Sequence, residues 1–600
     1  MSLRDRDEPT LSANALEALR ARYLQRAPDG EIDETPSELF ARVARGVAEA
    51  ELRVGSTSRA AEWEERFRAA MTSLAFLPNS PTLMNAGTGL GQLAACFVLP
   101  IEDSIDGIFT SLRDTALVQQ TGGGTGFNFS ALRPAGDRVG GTVGIASGPL
   151  SFMRVFNGAT EELRQGGKRR GANMGILNAN HPDVAAFIEL KREPGAMRNF
   201  NLSVGASDAF MAAVREGAVW PLVNPRTGAT TAAVDAAKLF RRIAEAAWAT
   251  GDPGLVFLDA IERGNPTPSL GPIRATNPCG EVPLLPHESC NLGSINLAAC
   301  LKRDGAGWAF DWDAFREMAT LGVRFLDDVV EVNRYPIPEL ARAARTTRKI
   351  GLGVMGLAEM FIRLGLPYDG LDARRLGSEI ARVLREAAEA ASGQLAAERG
   401  AFPAWRESIF GRANRPRRNA TVLSIAPTGT ISLIAGTTSG IEPLFGVAYT
   451  RSHVLGGRAL PEVSPLFAEL MEARRLDWRP LVPQILKTGS VQGIAGVPDD
   501  LQRLFRCALD IDPLDHLAMQ AVFQAHVDNA VSKTVNLPFA APVETVETIY
   551  REAHRLGLKG ITVFRYGSRS EQVLSLGAKP HDERFDLAHL TSCDPGACRV

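Results

Sequence analysis

Apolar residues recur along this chain with two different periods. Through residues 10–75 the period is helical. Leu16, Leu19, Tyr23 and Leu24 fall on one stripe after Leu11-Ser12-Ala13-Asn14, and Ser58 precedes a second run with Trp63, Phe67 and Met71 at helical spacing. The spacing predicts an N-terminal helical cap, opened at the second run by Ser58, with those aromatics in its core. From Phe76 the texture changes. A turn-rich stretch, Pro78-Asn79-Ser80-Pro81, leads to Cys96-Phe97-Val98-Leu99-Pro100, which reads as a short buried strand. Beyond it, helical patterns over 314–332, 373–399 and 514–529 alternate with short apolar runs at 421–425 and 560–564. Asn180-His181-Pro182-Asp183 reads as a helix start with proline in the first turn. Repeated alternation of this kind predicts an α/β fold with mostly parallel strands. No linker-like stretch interrupts residues 76–570, so one large barrel-like domain is more economical than several small ones. The expected division is a helical region over 1–75, a catalytic barrel over 76–572 and a tail over 573–600. The pattern contains no internal repeat and no extended low-complexity tract.

Composition narrows the class. The 600 residues carry a formal net charge of −2, so there is no footprint for a polyanion such as nucleic acid. No apolar run is long enough to cross a membrane, and the charged start lacks the apolar core of a signal peptide. The expectation is a cytoplasmic protein. The seven cysteines, Cys96, Cys279, Cys290, Cys300, Cys507, Cys593 and Cys598, are sparse and odd in number, which argues against a disulfide scaffold. No spacing matches a structural zinc site, and no metal is expected.

The chemistry-bearing stretch is Asn277-Pro278-Cys279-Gly280-Glu281, with Cys290 eleven residues beyond Cys279. If the segment is extended, Asn277, Cys279 and Glu281 share one face and present an amide, a thiol and a carboxylate together; the alternative is a buried cysteine in a Pro/Gly turn. Glycine-rich loops accompany it. Gly122-Gly123-Gly124-Thr125-Gly126 allows close backbone approach. Gly166-Gly167-Lys168-Arg169-Arg170-Gly171 is either a phosphate-binding loop or a solvated basic turn. Ala426-Pro427-Thr428-Gly429-Thr430-Ile431-Ser432 follows a predicted strand and offers amides and hydroxyls to a phosphate, and residues 437–443 extend the same wall. Gly351-Leu352-Gly353-Val354-Met355-Gly356 fits a dinucleotide fingerprint and supports a nicotinamide-dependent dehydrogenase as an alternative. The residues before it, including Arg342, Arg345, Arg348 and Lys349, do not form the buried strand that fingerprint needs. Cys593 and Cys598 sit on the tail around Pro595 and Gly596. A tail dithiol can reduce an internal disulfide by exchange. Cys300 and Cys507 read as small buried hydrophobes.

Together these motifs resemble the large subunits of ribonucleotide reductases, in order and over nearly the whole chain. The start Leu11-Ser12-Ala13-Asn14-Ala15-Leu16 and the segment Gly560-Ile561-Thr562-Val563-Phe564-Arg565-Tyr566-Gly567 are most similar to the class II branch, the adenosylcobalamin-dependent ribonucleoside-diphosphate reductases. The class I branch, whose radical comes from a partner subunit through an adjacent tyrosine pair, is the alternative. No two tyrosines are adjacent in this chain. Arg565-Tyr566-Gly567 does not match the glycyl-radical motif of class III, and an ATP-cone-like N-terminal domain is not expected.

The resemblance implies a ten-stranded α/β barrel with Cys279 on a central finger loop and adenosylcobalamin as cofactor. It implies that Cys279 becomes a thiyl that takes the ribose 3′ hydrogen, that Glu281 is the base on the 3′ hydroxyl and that Asn277 holds the substrate. Cys96 and Cys290 would supply proton and electrons as the 2′ hydroxyl leaves. Cys593 and Cys598 would then reduce their disulfide and be reduced by a thioredoxin-like partner. Ser80, Ala95, Cys96, Gly124, Asn277, Pro278, Cys279, Gly280, Glu281, Pro427, Thr428, Gly429, Thr430 and Ile431 would bind a ribonucleoside diphosphate. Asp103, Ser104, Ile105, Arg133, Lys168, Arg169 and Arg170 would bind a dNTP or ATP effector in a homodimer. Many class II tails carry a longer cysteine cluster; this one has only two, so no zinc is expected there.

Overall fold

A computed structural model describes residues 8–568 except 54, 56, 140–143, 166–168, 306 and 456–457, together with residues 574–575. The N-terminal cap is built from α1 (Ala13–Arg22), α2 (Pro36–Ala48) and α3 (Thr57–Thr72). Ser12 accepts from Ala15 N at 3.1 Å, and Thr35 with Glu38 closes a capping box on α2, which satisfies first-turn amides that have no helical partner. Ser58 is not a cap. It lies inside α3, which begins at Thr57. Phe67 meets Phe325 edge-on at 5.0 Å, and Phe325 meets Phe76 at 5.2 Å. The cap therefore shares its core with the barrel, where Phe76 opens the first strand. A buried ion network reinforces the seam: Glu51 accepts from Arg324 at 2.7 Å and is paired with Arg399.

The barrel strands are β1 (Phe76–Pro78), β2 (Cys96–Val98), β3 (Gly124–Asn128), β4 (Asn173–Asn178), β5 (Phe200–Ala206) and β6 (Gly254–Phe257). After a short hairpin, β7 (Ala275–Thr276) and β8 (Pro283–Leu284), come β9 (Ser289–Asn296), β10 (Ile350–Met355), β11 (Thr534–Leu537) and β12 (Gly560–Arg565). Strands β2 through β6 pair in parallel, as do β9 with β10 and β11 with β12. The two sets meet antiparallel at β2–β9 and at β6–β12. Strand β1 adds antiparallel to β9 beyond β2.

Residues 421–425 lie between β10 and the segment leading into β11, joined by isolated bridges, Leu352↔Leu423 and Ile425↔Val531, and by a few backbone hydrogen bonds such as Leu352 N to Val422 O at 2.8 Å. Side chains replace part of the ladder: the Asp528 carboxylate accepts from Val422 N at 2.8 Å and Leu423 N at 2.7 Å, and Asn529 Nδ2 donates to Leu423 O at 2.8 Å. This is why the helix expected over 514–529 stops at Gln524. Its last residues are needed to complete the wall. Pro182 likewise precedes rather than opens the helix Val184–Ile188, which starts after Asp183. In β10 the glycines of the dinucleotide-like pattern serve packing. A Cβ on Gly353 would lie 2.3 Å from Ser424 O, and all six residues of the strand are buried. The dehydrogenase alternative falls with that placement.

Further helices used below are α4 (Ile105–Gln120), α5 (Trp312–Val332), α6 (Leu371–Arg399) and α7 (Gly429–Ala435). The β7–β8 hairpin runs inside the barrel as a finger. A Cβ on Gly126 of β3 would lie 1.7 Å from Thr276 O, and one on Gly124 would lie 2.9 Å from Pro278 Cγ. Glycine at both positions clears the passage. Gly126→Ala is expected to cost about 1–3 kcal/mol by overpacking and to dislodge the finger. Urea denaturation checks this, with Gly158→Ala, which has open space for a Cβ inside the helix Pro149–Glu162, as the control that should lose no stability and gain up to about 1 kcal/mol.

Candidate active site

The finger tip is a turn, not the extended segment expected from the sequence. Ala275 pairs with Leu284 and Thr276 with Pro283. Across the tip, Asn277 N donates to Val282 O at 3.2 Å, Gly280 N donates to Asn277 O at 3.1 Å, and Gly280 has φ 81°, where a glycine is at ease. The turn separates the residues that an extended strand would have aligned. Cys279 is exposed at the tip, while Asn277 and Glu281 are buried at its base. Asn277 does two jobs there: its Oδ1 accepts from Val282 N at 3.0 Å and its Nδ2 donates to Cys96 Sγ at 3.1 Å.

The barrel wall holds the finger by polar contacts that its sequence does not advertise. Asn201 Nδ2 donates to Pro278 O at 2.8 Å and Asn128 Nδ2 to Arg274 O at 2.8 Å. On the other side Ser424 Oγ and Ala530 N both donate to Glu281 O at 2.9 Å. Asn201, Asn128 and Ser424 are ordinary strand residues in the sequence, and only the fold shows what they hold.

Cys96 and Cys290 face each other as register partners across β2 and β9. Directly opposed strand residues have Cβ atoms about 4.5–5.5 Å apart, close enough for small adjustments to allow a disulfide. Both are buried thiols here. Burial is the main cause that pushes the two thiols well up, and the Glu281 carboxylate adds to it in each case. Glu281 itself is pushed up to about 7 by burial, against the opposing effect of a hydrogen bond from Asn277. Its Oε2 is buried with no hydrogen-bond partner. A carboxyl near neutrality with an unused oxygen can hold or accept a proton at neutral pH.

A cavity of about 800 Å³ opens in front of Cys279. Pro278, Cys279, Gly280, Pro427 and Gly429 line it, as do Thr437, Thr438, Ser439, Glu442 and Pro443. Its far walls come from Ser12 and Asn14 beside α1 and from Gly560 to Phe564 of β12. Lys533 also lines it, buried and bonded to Glu442 at 2.6 Å and to His516 Nδ1 at 3.0 Å. Ser12 and Asn14 belong to the Leu11–Leu16 start that resembles the class II branch, which is the signal that could have placed them here; Lys533 carries no such motif.

Other expected residues are placed differently. Ser80 is bonded to the Tyr23 hydroxyl at 2.8 Å and does not line the cavity, and neither does Ala95. Gly124 provides clearance for Pro278. Thr428 is buried and its Oγ1 accepts from Gly440 N at 2.7 Å, so it braces the loop, while Thr430 and Ile431 lie in the first turn of α7. Asp103 and Arg133 pair at 2.9 Å, Ser104 caps α4 through Gly107 N, and Ile105 is its exposed first residue. This group is away from the cavity. Arg169–Arg170 pair with Arg164–Gln165 in a short ladder. Lys168, Cys593 and Cys598 lie outside the described residues. Cys300 and Cys507 are buried, and burial pushes the Cys300 thiol up to about 12. Among the described residues no cluster of His, Cys, Asp and Glu could hold a metal ion, and no helix is long and apolar enough to cross a membrane.

Comparison with known proteins places this geometry. Residues 94–564 match the ribonucleotide reductase barrel domain, and residues 10–91 match the ribonucleotide reductase all-alpha domain. A vitamin B12-dependent ribonucleoside-diphosphate reductase of Mycobacterium tuberculosis is 53% identical over 597 residues, covering 99% of this chain and 85% of that protein. One of Thermoplasma acidophilum is 44% identical over 628 residues, covering 95% and 81%. Among solved structures, the class Id ribonucleotide reductase alpha subunit of Actinobacillus ureae has a TM-score of 0.75 at 24% identity, covering 93% of this chain and 97% of that one, which is a likeness of fold.

The raised carboxyl of Glu281 carries a signed consequence for stability. Between its ordinary value of 4.5 and about 7, the native state keeps a proton that the unfolded state has released. Stability from this group is therefore full at low pH and is lost as pH rises through that window, by about 3 kcal/mol. Glu281→Gln is expected to be the more stable protein at pH 8 by about this amount and to show little gain at pH 4. Urea denaturation at the two pH values reads the difference; an advantage that does not change with pH would show that Glu281 is ionised throughout.

Proposed function

The chain belongs to the ribonucleotide reductase family, and within it we propose that the cavity before Cys279 is where a ribonucleoside diphosphate loses its 2′ hydroxyl. The enzyme is of the vitamin B12-dependent class and reduces ribonucleotides to 2′-deoxyribonucleotides. The observation that carries the assignment of the site is the convergence of one finger and two strands. The tip thiol of Cys279 faces the cavity, and the base residues Asn277 and Glu281 lie beside a register-matched pair, Cys96 and Cys290.

The cavity has room for the substrate: pockets of 300–1,000 Å³ bury a drug-sized ligand, and this one is about 800 Å³. Cobalamin is larger than that and would be held only in part within it, against the lining. Apolar Leu255, Val256, Val563 and Phe564 with polar Ser12, Asn14 and Asn536 suit a large ring system fringed with amides. When bound, cobalamin supplies the one-electron oxidation that no side chain can perform alone.

The side chains do the rest. Cys279, as a thiyl, takes the 3′ hydrogen and later returns it. Glu281 accepts the 3′ hydroxyl proton through Oε2. Cys96 gives a proton to the departing 2′ hydroxyl, which leaves as water. Cys96 and Cys290 give two electrons and end as a disulfide. Asn277 orients substrate and Cys96 together. The first-turn amides of α7, with Pro427, Thr428, Gly429, Thr430 and Ile431, receive the phosphates. Cys593 and Cys598 then reduce the buried pair and are recharged by a thioredoxin-like dithiol. Such a thiol cycle suits the cytoplasm.

The same reading assigns effector binding by dNTP or ATP to Asp103, Ser104, Ile105, Arg133 and the 168–170 loop, at a homodimer interface. Support comes from the exposed apolar residues of α4, Ile105 and Phe109, beside the Asp103–Arg133 pair. It keeps three regions: helical 1–75, barrel 76–572 and tail 573–600.

The test is turnover by the purified chain with adenosylcobalamin. Cys279→Ser is expected to abolish product while leaving thermal unfolding unchanged. Cys593→Ser with Cys598→Ser is expected to keep turnover with dithiothreitol and lose it with thioredoxin. Activity that needs a second, metal-bearing subunit would instead favour class I.

A further inference from the structure

The two thiols of the buried pair sit in different electrostatic surroundings. Glu288, Cys290 and Leu292 alternate along one face of β9. On β10, Ile350 is the register partner of Asn291, which sets Lys349 beside Cys290 and Gly351 between Cys290 and Leu292. The packing agrees: a Cβ on Gly351 would lie 2.4 Å from Leu292 Cδ2 and 3.5 Å from Cys290 Sγ. Lys349 Nζ donates to Glu288 Oε2 at 2.6 Å, and both side chains are almost wholly buried, at 1% and 2% exposure. Glu288 is held in turn by Thr347 Oγ1 at 2.7 Å and Leu285 N at 2.7 Å. The carboxylate is thus fixed by three donors, and the strand register sets Lys349 beside Cys290. Burial and then the Glu281 carboxylate push the Cys290 thiol up, Lys349 opposes them, and Glu288 and Asp528 add to the rise. Burial, Glu281, Cys290 and Cys279 push the Cys96 thiol up, and the hydrogen bond from Asn277 opposes them.

We propose that Lys349 is a positioning residue for re-reduction of the enzyme: it makes Cys290 the leaving sulfur of the Cys96–Cys290 disulfide, so that the incoming thiolate bonds to Cys96. The inference rests on the reading of Cys96 and Cys290 as the oxidised pair. In the first step a reductant thiolate forms a bond to Cys96 Sγ, the Cys96–Cys290 bond breaks, and its electron pair leaves on Cys290 as a thiolate beside the ammonium. In the second step the other thiolate of the reductant dithiol attacks its own sulfur in the mixed disulfide and releases Cys96. Two electrons pass from the dithiol, and the two released thiolates take up protons. Exchange is faster when the leaving thiolate is the better stabilised one. The cation beside Cys290 is therefore weighed against the Asn277 amide on Cys96, and we assign it the larger part in selecting which sulfur leaves.

The test uses the full chain carrying Cys593→Ser and Cys598→Ser, so that only the buried pair reports. After oxidation it is treated with 2-mercaptoethanol, quenched by alkylation and mapped by peptide mass spectrometry. The expected product carries mercaptoethanol on Cys96 and the alkyl group on Cys290. Lys349→Arg should keep that preference. Lys349→Met, and Lys349→Met with Glu288→Gln to avoid a lone buried carboxylate, should lower the Cys96-to-Cys290 adduct ratio by about tenfold. Adducts on Cys290, an even distribution in the parent protein, or a ratio unmoved by both Lys349→Met variants would overturn the proposal. If oxidation yields no Cys96–Cys290 disulfide at all, the underlying reading of the pair fails and the inference falls with it, an outcome distinct from a misplaced adduct.

Discussion

A loop threaded through the inside of a barrel has no water to satisfy its backbone, so the barrel must do it. That requirement organises this structure. Three finger carbonyls, those of Arg274, Pro278 and Glu281, accept from donors set in the wall: Asn128 and Asn201 from one parallel half, Ser424 and Ala530 from the other. The same loop needs space where a strand would normally point a side chain, and Gly124 and Gly126 provide it. The two halves of the barrel are thus joined by their seams and also by a common grip on one turn. A finger held from both sides can keep an exposed thiol at a fixed height in a wide cavity.

The dry interior that this creates sets the electrostatics. Burial drives Glu281 toward neutrality and makes the thiolates of Cys96 and Cys290 expensive. For the proton acceptor and the reducing pair proposed above, those shifts point in a useful direction. The molecule admits buried charge where it is paired. Lys349 has Glu288, Lys533 has Glu442, and Glu51 is met by Arg324 and Arg399 across the seam between cap and barrel. Removing one member of such a pair leaves an uncompensated charge, which typically costs about 3–5 kcal/mol.

The fold class was legible because helices such as α5 and α6 and strands such as β12 announce themselves by period. The chemical motif was legible because a thiol between an amide and a carboxylate is rare. What was not legible was conformational or non-local. Asn277 to Glu281 looked extended because the local pattern alternates, yet the amide of Asn277 closes a turn on Val282. Residues 421–425 looked like a regular strand, but beside their backbone bonds to β10 they depend on the side chains of Asp528 and Asn529, a hundred residues away and taken from what read as a helix. The glycines of β10 matched a nucleotide fingerprint for a reason that only packing against Ser424 explains. Asn201, Lys349 and Lys533 are single polar residues in strands or strand-like runs, and no spacing rule singles them out.

The walls of the cavity come from opposite ends of the chain, Ser12 and Asn14 near one and Gly560 to Phe564 near the other. During synthesis this has a temporal meaning. The finger and its thiol are made well before β12, and the chamber around them closes only when β12 has taken its place against β6. A nascent chain therefore carries Cys279 before the cavity in front of it exists.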